Sequence, residues 1–273
     1  MSDLQITNQA LEMAENYAAH YVPAVTDIWT PETLVRLQAR PGDAVLDVGC
    51  ATGASSFNLL RLIGPGGRVV GIDIEPAPLV VANRIRKALD RPNISFQNAD
   101  VSALHYPDAV FDRVVCQHTL MFVHDKSRAV REMYRVLSRR GRLVISVWGP
   151  RQGVVHEALL ADVFRTHLGE EPGFFTSAFS LSERGIFEHL LRDAELRNQA
   201  VFERARVATS FSGAEAYWQG MVEGRSLALR VAALPEPARA ALKAEVLSRL
   251  RAYRSPSGYI MPMEGIIATI TKP

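Results

Sequence analysis

Between Ala44 and Trp148 the chain alternates short β-branched runs with helical stretches, and the runs are apolar almost throughout. A strand apolar at nearly every position is buried on both faces, which calls for a parallel sheet covered by helices on each side. AVLDVG (Ala44 to Gly49) predicts the first strand, and Ser55 to Leu62 the helix after it. A GPGG turn (Gly64 to Gly67) leads to RVVGIDI (Arg68 to Ile74) as the second strand, then a helix through about Leu89. ISFQNAD (Ile94 to Asp100) and FDRVVCQH (Phe111 to His118) give the third and fourth strands. Val130, Met133, Tyr134 and Leu137 recur at helical spacing, with Asp125 as N-cap and Gly141 as the stop. RLVISVW (Arg142 to Trp148) is the fifth strand.

Beyond Gly149 and Pro150 the rhythm changes. Val155, Leu159, Leu160, Val163 and Phe164 mark a helix, followed by the loop GEEPGFFTSAFS. A helix begun by Ser182 carries Ile186, Phe187, Leu190 and Leu191 inward, and a strand runs from about Leu196 to Val207. Two helices, Gly213 to Ala232 and Pro235 to Tyr253, precede a last strand, YIMPMEGIIATIT. Those two helices have no place in a minimal doubly wound sheet. They predict a cap beside the carboxyl ends of the strands, where such sheets bind ligands.

Composition narrows the function classes. A net charge of +2 over 273 residues argues against a nucleic-acid footprint, and Arg135, Arg139, Arg140 and Arg142 read as a solvated helix end. Cys50 and Cys116 sit in apolar runs without metal-ligand spacing, which points to a reducing compartment, no metal and a cytoplasmic protein. No apolar stretch is long enough for a bilayer.

The chemistry-bearing signal is AVLDVGCATG. A strand ends at Asp47, and the small residues Gly49, Ala51 and Gly53 let the backbone turn tightly and approach a ligand before a helix begins. The spacing lacks the GxGxxG of a dinucleotide site, because Ala51 takes the middle place. An acid before the glycines also suits a ligand with a cationic end better than a diphosphate. Asp73, ending the second strand, can accept both ribose hydroxyls of an adenosine. Asp100, ending the third, can accept from an adenine amine. Singly each acid is a common helix cap; three on successive strand ends form a constellation.

VLDVGCATG, GIDIEP, NAD and the run from YPDAVFDRVV to RLVISVW resemble class I S-adenosylmethionine (SAM)-dependent methyltransferases, in pattern the ubiquinone/menaquinone-biosynthesis members. The resemblance implies an α/β, Rossmann-like, seven-stranded, mostly parallel sheet whose last strand is antiparallel, with a helical cap. It divides one domain into a helical segment over the cofactor (1–40), a SAM-binding core (41–150), later sheet elements and cap (151–257) and a final strand (258–273). It places the methionine part of SAM on Asp47, Gly49 and Gly53, the ribose on Asp73 and the adenine on Asp100. Tyr21, Ala51, Ile74, Val101 and Gln117 complete the expected cofactor contacts. Two departures stand out: Ala51 for the usual middle glycine, and SRRGR for the usual PGG after the fourth helix.

The implied reaction is methyl transfer to the C, O or N atom of a small, apolar or aromatic acceptor, by a monomer or homodimer. His118, at the end of the fourth strand, has an ordinary pKa suited to a general base. Substrate orientation and plain packing are equally open roles for it. Tyr17, Met121, Phe122, Trp148, Phe175 and Met261 are candidate substrate contacts if they converge, and Tyr17, His20, Tyr21 and Ala24 share one helical face. The rival readings are a SAM-binding protein or relative that transfers no methyl, and an NAD-dependent oxidoreductase, which the missing GxGxxG disfavours.

Overall fold

The computed structural model describes residues 6–196 and 199–273. Five parallel strands form the core: β1 (Ala44–Val48), β2 (Arg68–Asp73), β3 (Ile94–Asn98), β4 (Phe111–Gln117) and β5 (Leu137–Trp148). β6 (Ala200–Phe211) and β8 (Gly258–Thr271) complete a sheet of order β3-β2-β1-β4-β5-β8-β6, and the two-residue β7 (Arg254–Ser255) pairs with β8. β8 runs antiparallel to both β5 and β6, as expected for the last strand.

Eleven α-helices are described: α1 (Asn8–Asn16), α2 (Asp27–Leu37), α3 (Ala54–Ile63), α4 (Pro76–Ala88), α5 (Lys126–Val136), α6 (Val155–Leu168), α7 (Gly173–Ala178), α8 (Arg184–Asp193), α9 (Ala214–Trp218), α10 (Leu227–Ala232) and α11 (Glu236–Leu250). From β1 the chain steps outward through β2 to β3, whereas β4 to β5 steps the other way. Right-handed crossovers then put α3 and α4 on one face and α5 on the other. α2 joins α3 and also packs on β4, β5, β6 and β8, with Trp29 and Leu37 fully buried. The last helix of the N-terminal segment is therefore a layer on the sheet. α8 packs on α5.

Four predicted elements differ in detail. α5 stops at Val136, not at Gly141, and the chain enters β5 directly at Leu137, which pairs with Phe111. Lys272 Nζ, from the far end of the chain, donates to the carbonyls of Tyr134, Arg135 and Leu137 (2.8, 3.3 and 2.7 Å), which ends the helix early. Arg139, Arg140 and Arg142 are thus strand residues, and Arg135 is ion-paired with Glu132 and Asp108. Ile186 lies on the outer side of α8, 51% exposed, while Phe187 and Leu191 are buried. β6 runs on to Phe211, because β8 extends back to Gly258 and pairs with it throughout.

The cap shows the largest change. The expected helix Gly213 to Ala232 is divided into α9, a π-helical stretch Gln219–Glu223 and α10. A second π-helical stretch, Tyr17–Thr26, faces it. The two approach through glycine: a Cβ on Gly220 would lie 2.9 Å from the backbone of His20 and Tyr21, and one on Gly224 2.7 Å from that of Tyr17. α11 packs on α6 and completes the cap.

Gly220→Ala is therefore expected to lower unfolding free energy in urea by about 1–3 kcal/mol, the usual range for overpacking. Gly213→Ala, whose Cβ meets nothing within 4 Å, is the control and should stay within about 0.5 kcal/mol. Equal effects would mean that the backbone contact at Gly220 does not hold the cap.

Candidate active site

β1 is buried along its whole length, and the residues after it reverse direction at once. Gly49, Ala51 and Gly53 all take left-handed φ (71°, 47° and 86°). The N–H groups of Gly49 and Cys50 donate to the Ile72 carbonyl (2.8 and 3.0 Å), and that of Ala51 donates to Asp73 Oδ2 (2.8 Å). Left-handed backbone costs a residue with a Cβ about 1–2 kcal/mol, and a charge-assisted bond to Asp73 offsets it. Asp73 Oδ1 accepts the Glu75 N–H (3.0 Å), so one carboxylate ties the β1 turn to the β2 turn.

The small size of Gly49 and Gly53 has a reason the sequence did not supply. A Cβ on Gly49 would lie 2.2 Å from the Thr119 side chain, and one on Gly53 2.7 Å from the Phe96 ring. Neighbouring side chains, not only a ligand, claim that space. Asp47 is likewise turned inward. It is buried, accepts from Ser56 Oγ on α3 (2.5 Å), and its pKa is pushed up to about 6 by desolvation.

At β3, Asn98 Nδ2 donates to the carbonyls of Asp73 and Ile74 (3.0 and 2.7 Å), linking two strand ends. Asp100 is exposed, and its Oδ1 accepts from Ser102 N–H and Oγ (2.7 and 2.8 Å), which lowers its pKa. Val101 is buried beside it, and Ile74 is 64% exposed at the same edge.

β4 ends in Gln117, whose Nε2 donates to Thr30 Oγ1 (3.2 Å) on α2; Thr30 Oγ1 also lies 3.4 Å from Ser55 Oγ on α3. Gln117 Oε1 is buried without a partner among the described residues. His118 turns out of the strand at φ 50°, held by its N–H on the Ser146 carbonyl (2.9 Å). Its ring stacks on Trp148 at 3.6 Å and lies 4.8 Å from Trp29. Burial, with His156 nearby, drives its pKa well below the ordinary 6.5. These surroundings favour the neutral imidazole.

The sequence-predicted residues Asp47, Gly49, Ala51, Gly53, Asp73, Ile74, Asp100, Val101, Gln117, His118 and Trp148 all fall at the carboxyl ends of β1 to β5. Tyr17 and Tyr21 stack on each other at 4.7 Å in the first π-helical stretch. Met121 is buried, with its carbonyl accepting from Ser180 Oγ (3.2 Å). Phe122, 45% exposed, stacks on Phe174, while Phe175 packs inward on Phe164. Met261 is buried where β8 pairs antiparallel with β6. A groove of about 880 Å³ opens instead between the N-terminal segment and α3, reaching Thr52 and Ala54 but none of the three strand-end acids.

Sequence reasoning missed His156, Glu157, Tyr217 and Arg225. All four are buried. His156 lies edge-on to Trp148 (5.4 Å), and its carbonyl accepts from Tyr217 Oη (2.7 Å). Arg225 Nη1 donates to Glu157 Oε1 (2.5 Å). Charged residues at apolar helix spacing, Glu157 beside Leu160 and Ala161, were the available signal.

Residues 39–171 match the family model of a methyltransferase domain. The chain is 29% identical over 179 residues to the demethylmenaquinone methyltransferase of Lactococcus lactis, covering 62% of this chain and 71% of that one. It is 39% identical over 121 residues to a ubiquinone/menaquinone biosynthesis C-methyltransferase of Hahella chejuensis, covering 43% of this chain and 48% of that one. The match thus spans about half the length of this second curated relative. A SAM-dependent methyltransferase structure from Aquifex aeolicus has the same fold, with TM-score 0.54, 14% identity, and 96% and 98% of the two chains covered. Among the described residues no helix is long and apolar enough to cross a membrane.

The buried histidines set an acid dependence of stability. His118 is held below 6.5 and His156 at about 3, so the folded chain leaves both neutral where the unfolded chain binds protons. Their contribution is intact above about pH 6.5 and is lost as pH falls, by up to about 1.4 kcal/mol per pH unit for each. Asp47 has the opposite sign between about 6 and 3.8, because the folded chain protonates it first. Neither ring nitrogen of His156 has a partner among the described residues, so His156→Phe removes the titration without removing a hydrogen bond. Proton uptake on unfolding between about pH 6 and 4, read from denaturation midpoints, should fall by about one. An unchanged slope would place the acid sensitivity elsewhere.

Proposed function

We propose that this chain, a class I SAM-dependent methyltransferase related to the ubiquinone/menaquinone-biosynthesis methyltransferases, methylates a small, apolar or aromatic acceptor held between the strand ends and the cap. The observation that carries this reading is the junction of the β1 and β2 turns on Asp73. Each Asp73 oxygen accepts one backbone N–H and keeps a second lone pair. Two vicinal ribose hydroxyls fit that remaining capacity. Asp100 Oδ2, which takes no bond among the described residues, suits an adenine amine beside Ile74 and Val101. The unpartnered buried Gln117 Oε1 suits the ammonium of a methionine moiety. Gly49, Ala51 and Gly53 shape the backbone there, Asp47 steadies the turn through Ser56, and Tyr21 closes the site from the N-terminal side.

SAM supplies an activated sulfonium methyl when bound. What the protein adds is alignment and the exclusion of water. Trp148 and Trp29 give an aromatic wall, and the neutral His118 offers Nε2, unpartnered among the described residues, to orient the acceptor. Tyr17, Met121, Phe122, Phe175 and Met261 are the further candidate contacts for the acceptor. Two buried free thiols, Cys50 and Cys116, fit work in a reducing compartment.

Asp73→Asn keeps one backbone bond and loses a charged acceptor. S-adenosylhomocysteine affinity by calorimetry is expected to fall by about tenfold or more, with circular dichroism unchanged. Unaltered affinity would remove Asp73 from the cofactor site.

His118→Ala is expected to raise KM for the acceptor and to leave the rate profile between about pH 6 and 8 as it was. An ionisation step in that range that disappears in the variant would instead make His118 a base.

A further inference from the structure

The buried groups on the cap side of Trp148 have no part in the reading above. Glu157 stands in the first turn of α6, and Arg225 follows the π-helical stretch of the cap, so the pair joins sheet layer and cap. Both are buried, at 0% and 8% exposure. Arg225 Nη1 reaches Glu157 Oε1 and its Nε reaches the Met221 carbonyl (2.8 Å). Arg225 Nη2, Glu157 Oε2, both nitrogens of His156 and Nε2 of His118 have no partner among the described residues. A buried ion pair left half satisfied is a poor way to stabilise a core, since apolar residues of the same volume do as well or better. Five such atoms along one wall, ending at His118, ask for a ligand.

A run of aromatic contacts leads from the surface to the pair. Half-exposed Phe122 stacks on Phe174 at 5.3 Å, and Phe174 lies 4.7 Å from the Arg225 guanidinium, which has Tyr21 at 5.3 Å. Phe174 belongs to the six-residue α7, whose Gly173 has open space around it. The two facing π-helical stretches flank the same place, and such irregular turns recur at functional sites.

We propose that Glu157 and Arg225 recognise the acceptor, entering past Phe174, and that it presents an uncharged group with a donor and an acceptor on one carbon, as a carboxamide or lactam does. The pair is neutral as a whole. A carboxylate would meet Glu157 and an ammonium would meet Arg225, each adding an uncompensated buried charge. An amide N–H to Glu157 Oε2 and a C=O from Arg225 Nη2 satisfy both. That the ligand is the methyl acceptor rests on the proposed function; the site itself rests on the buried pair.

The test uses the full chain saturated with S-adenosylhomocysteine and three near-isosteric probes, benzamide, benzoate and benzylamine, followed by saturation-transfer NMR. Benzamide is expected to bind at least about tenfold more tightly than either charged probe. Equal or stronger binding of benzoate or benzylamine, or no binding of benzamide, overturns the proposal. This comparison needs no variant. In the double variant Glu157→Met/Arg225→Met, chosen because an apolar pair keeps the packing, benzamide affinity should fall by about tenfold or more. A folded double variant that binds benzamide like the wild type places the probe elsewhere and overturns it too. Calorimetry of S-adenosylhomocysteine tests the methyl-transfer reading separately: its failure, with the probe selectivity intact in the unloaded chain, would sink that reading alone.

Discussion

A strand buried on both faces has to leave the sheet abruptly, and in this protein β1 does so on a turn with three left-handed residues. Everything at the carboxyl edge depends on how that turn is held. Ile72 and Asp73 at the end of β2 supply the acceptors for it, Asn98 from β3 bonds the same β2 end, and Thr119 beyond β4 occupies the space that the missing Cβ of Gly49 leaves. Four strand ends are thereby fixed relative to one another by a few polar bonds and one steric fit. The acids do different work despite similar positions. Asp47 faces α3 and is pushed towards neutrality, Asp73 holds two turns, and Asp100 stays exposed and ionised.

The second level is the cover. α2 lies on the sheet, and only then does the chain's start meet the cap, backbone against backbone at Gly220 and Gly224. That close approach buries Tyr21 and Arg225 and puts the Glu157 pair under the cap rather than at the surface. It also extends a run of rings and polar groups from Phe122 to His118. His118 takes its character from this enclosure: the same imidazole in water would titrate near neutrality, whereas between Trp148, Trp29 and His156 it stays neutral.

Periodicity and turn chemistry carried most of the sheet. The first four strands, the helices between them and the presence of a last strand all follow from runs of apolar residues bounded by turn residues, which act locally, whereas the antiparallel sense of that last strand came only from the family resemblance. Elements went astray where a distant residue intervened. Lys272 ends α5 before Gly141 can, and the pairing with β8 draws β6 out to Phe211. The cap helix breaks at a π-helical stretch whose glycines meet the N-terminal backbone.

The sequence by itself determined the order of elements, the acids at three successive strand ends and the small residues of the β1 turn, because each depends on neighbours a few positions away. Tertiary structure alone decided what those groups do. Nothing local distinguishes Asp47, turned onto Ser56, from Asp73, which accepts from two turns. Nothing local reveals that Glu157 and Arg225, 68 residues apart, share one buried bond. Burial and pairing are properties of the packed chain, and they set both the protonation state of His118 and the unmet polar demand beside it.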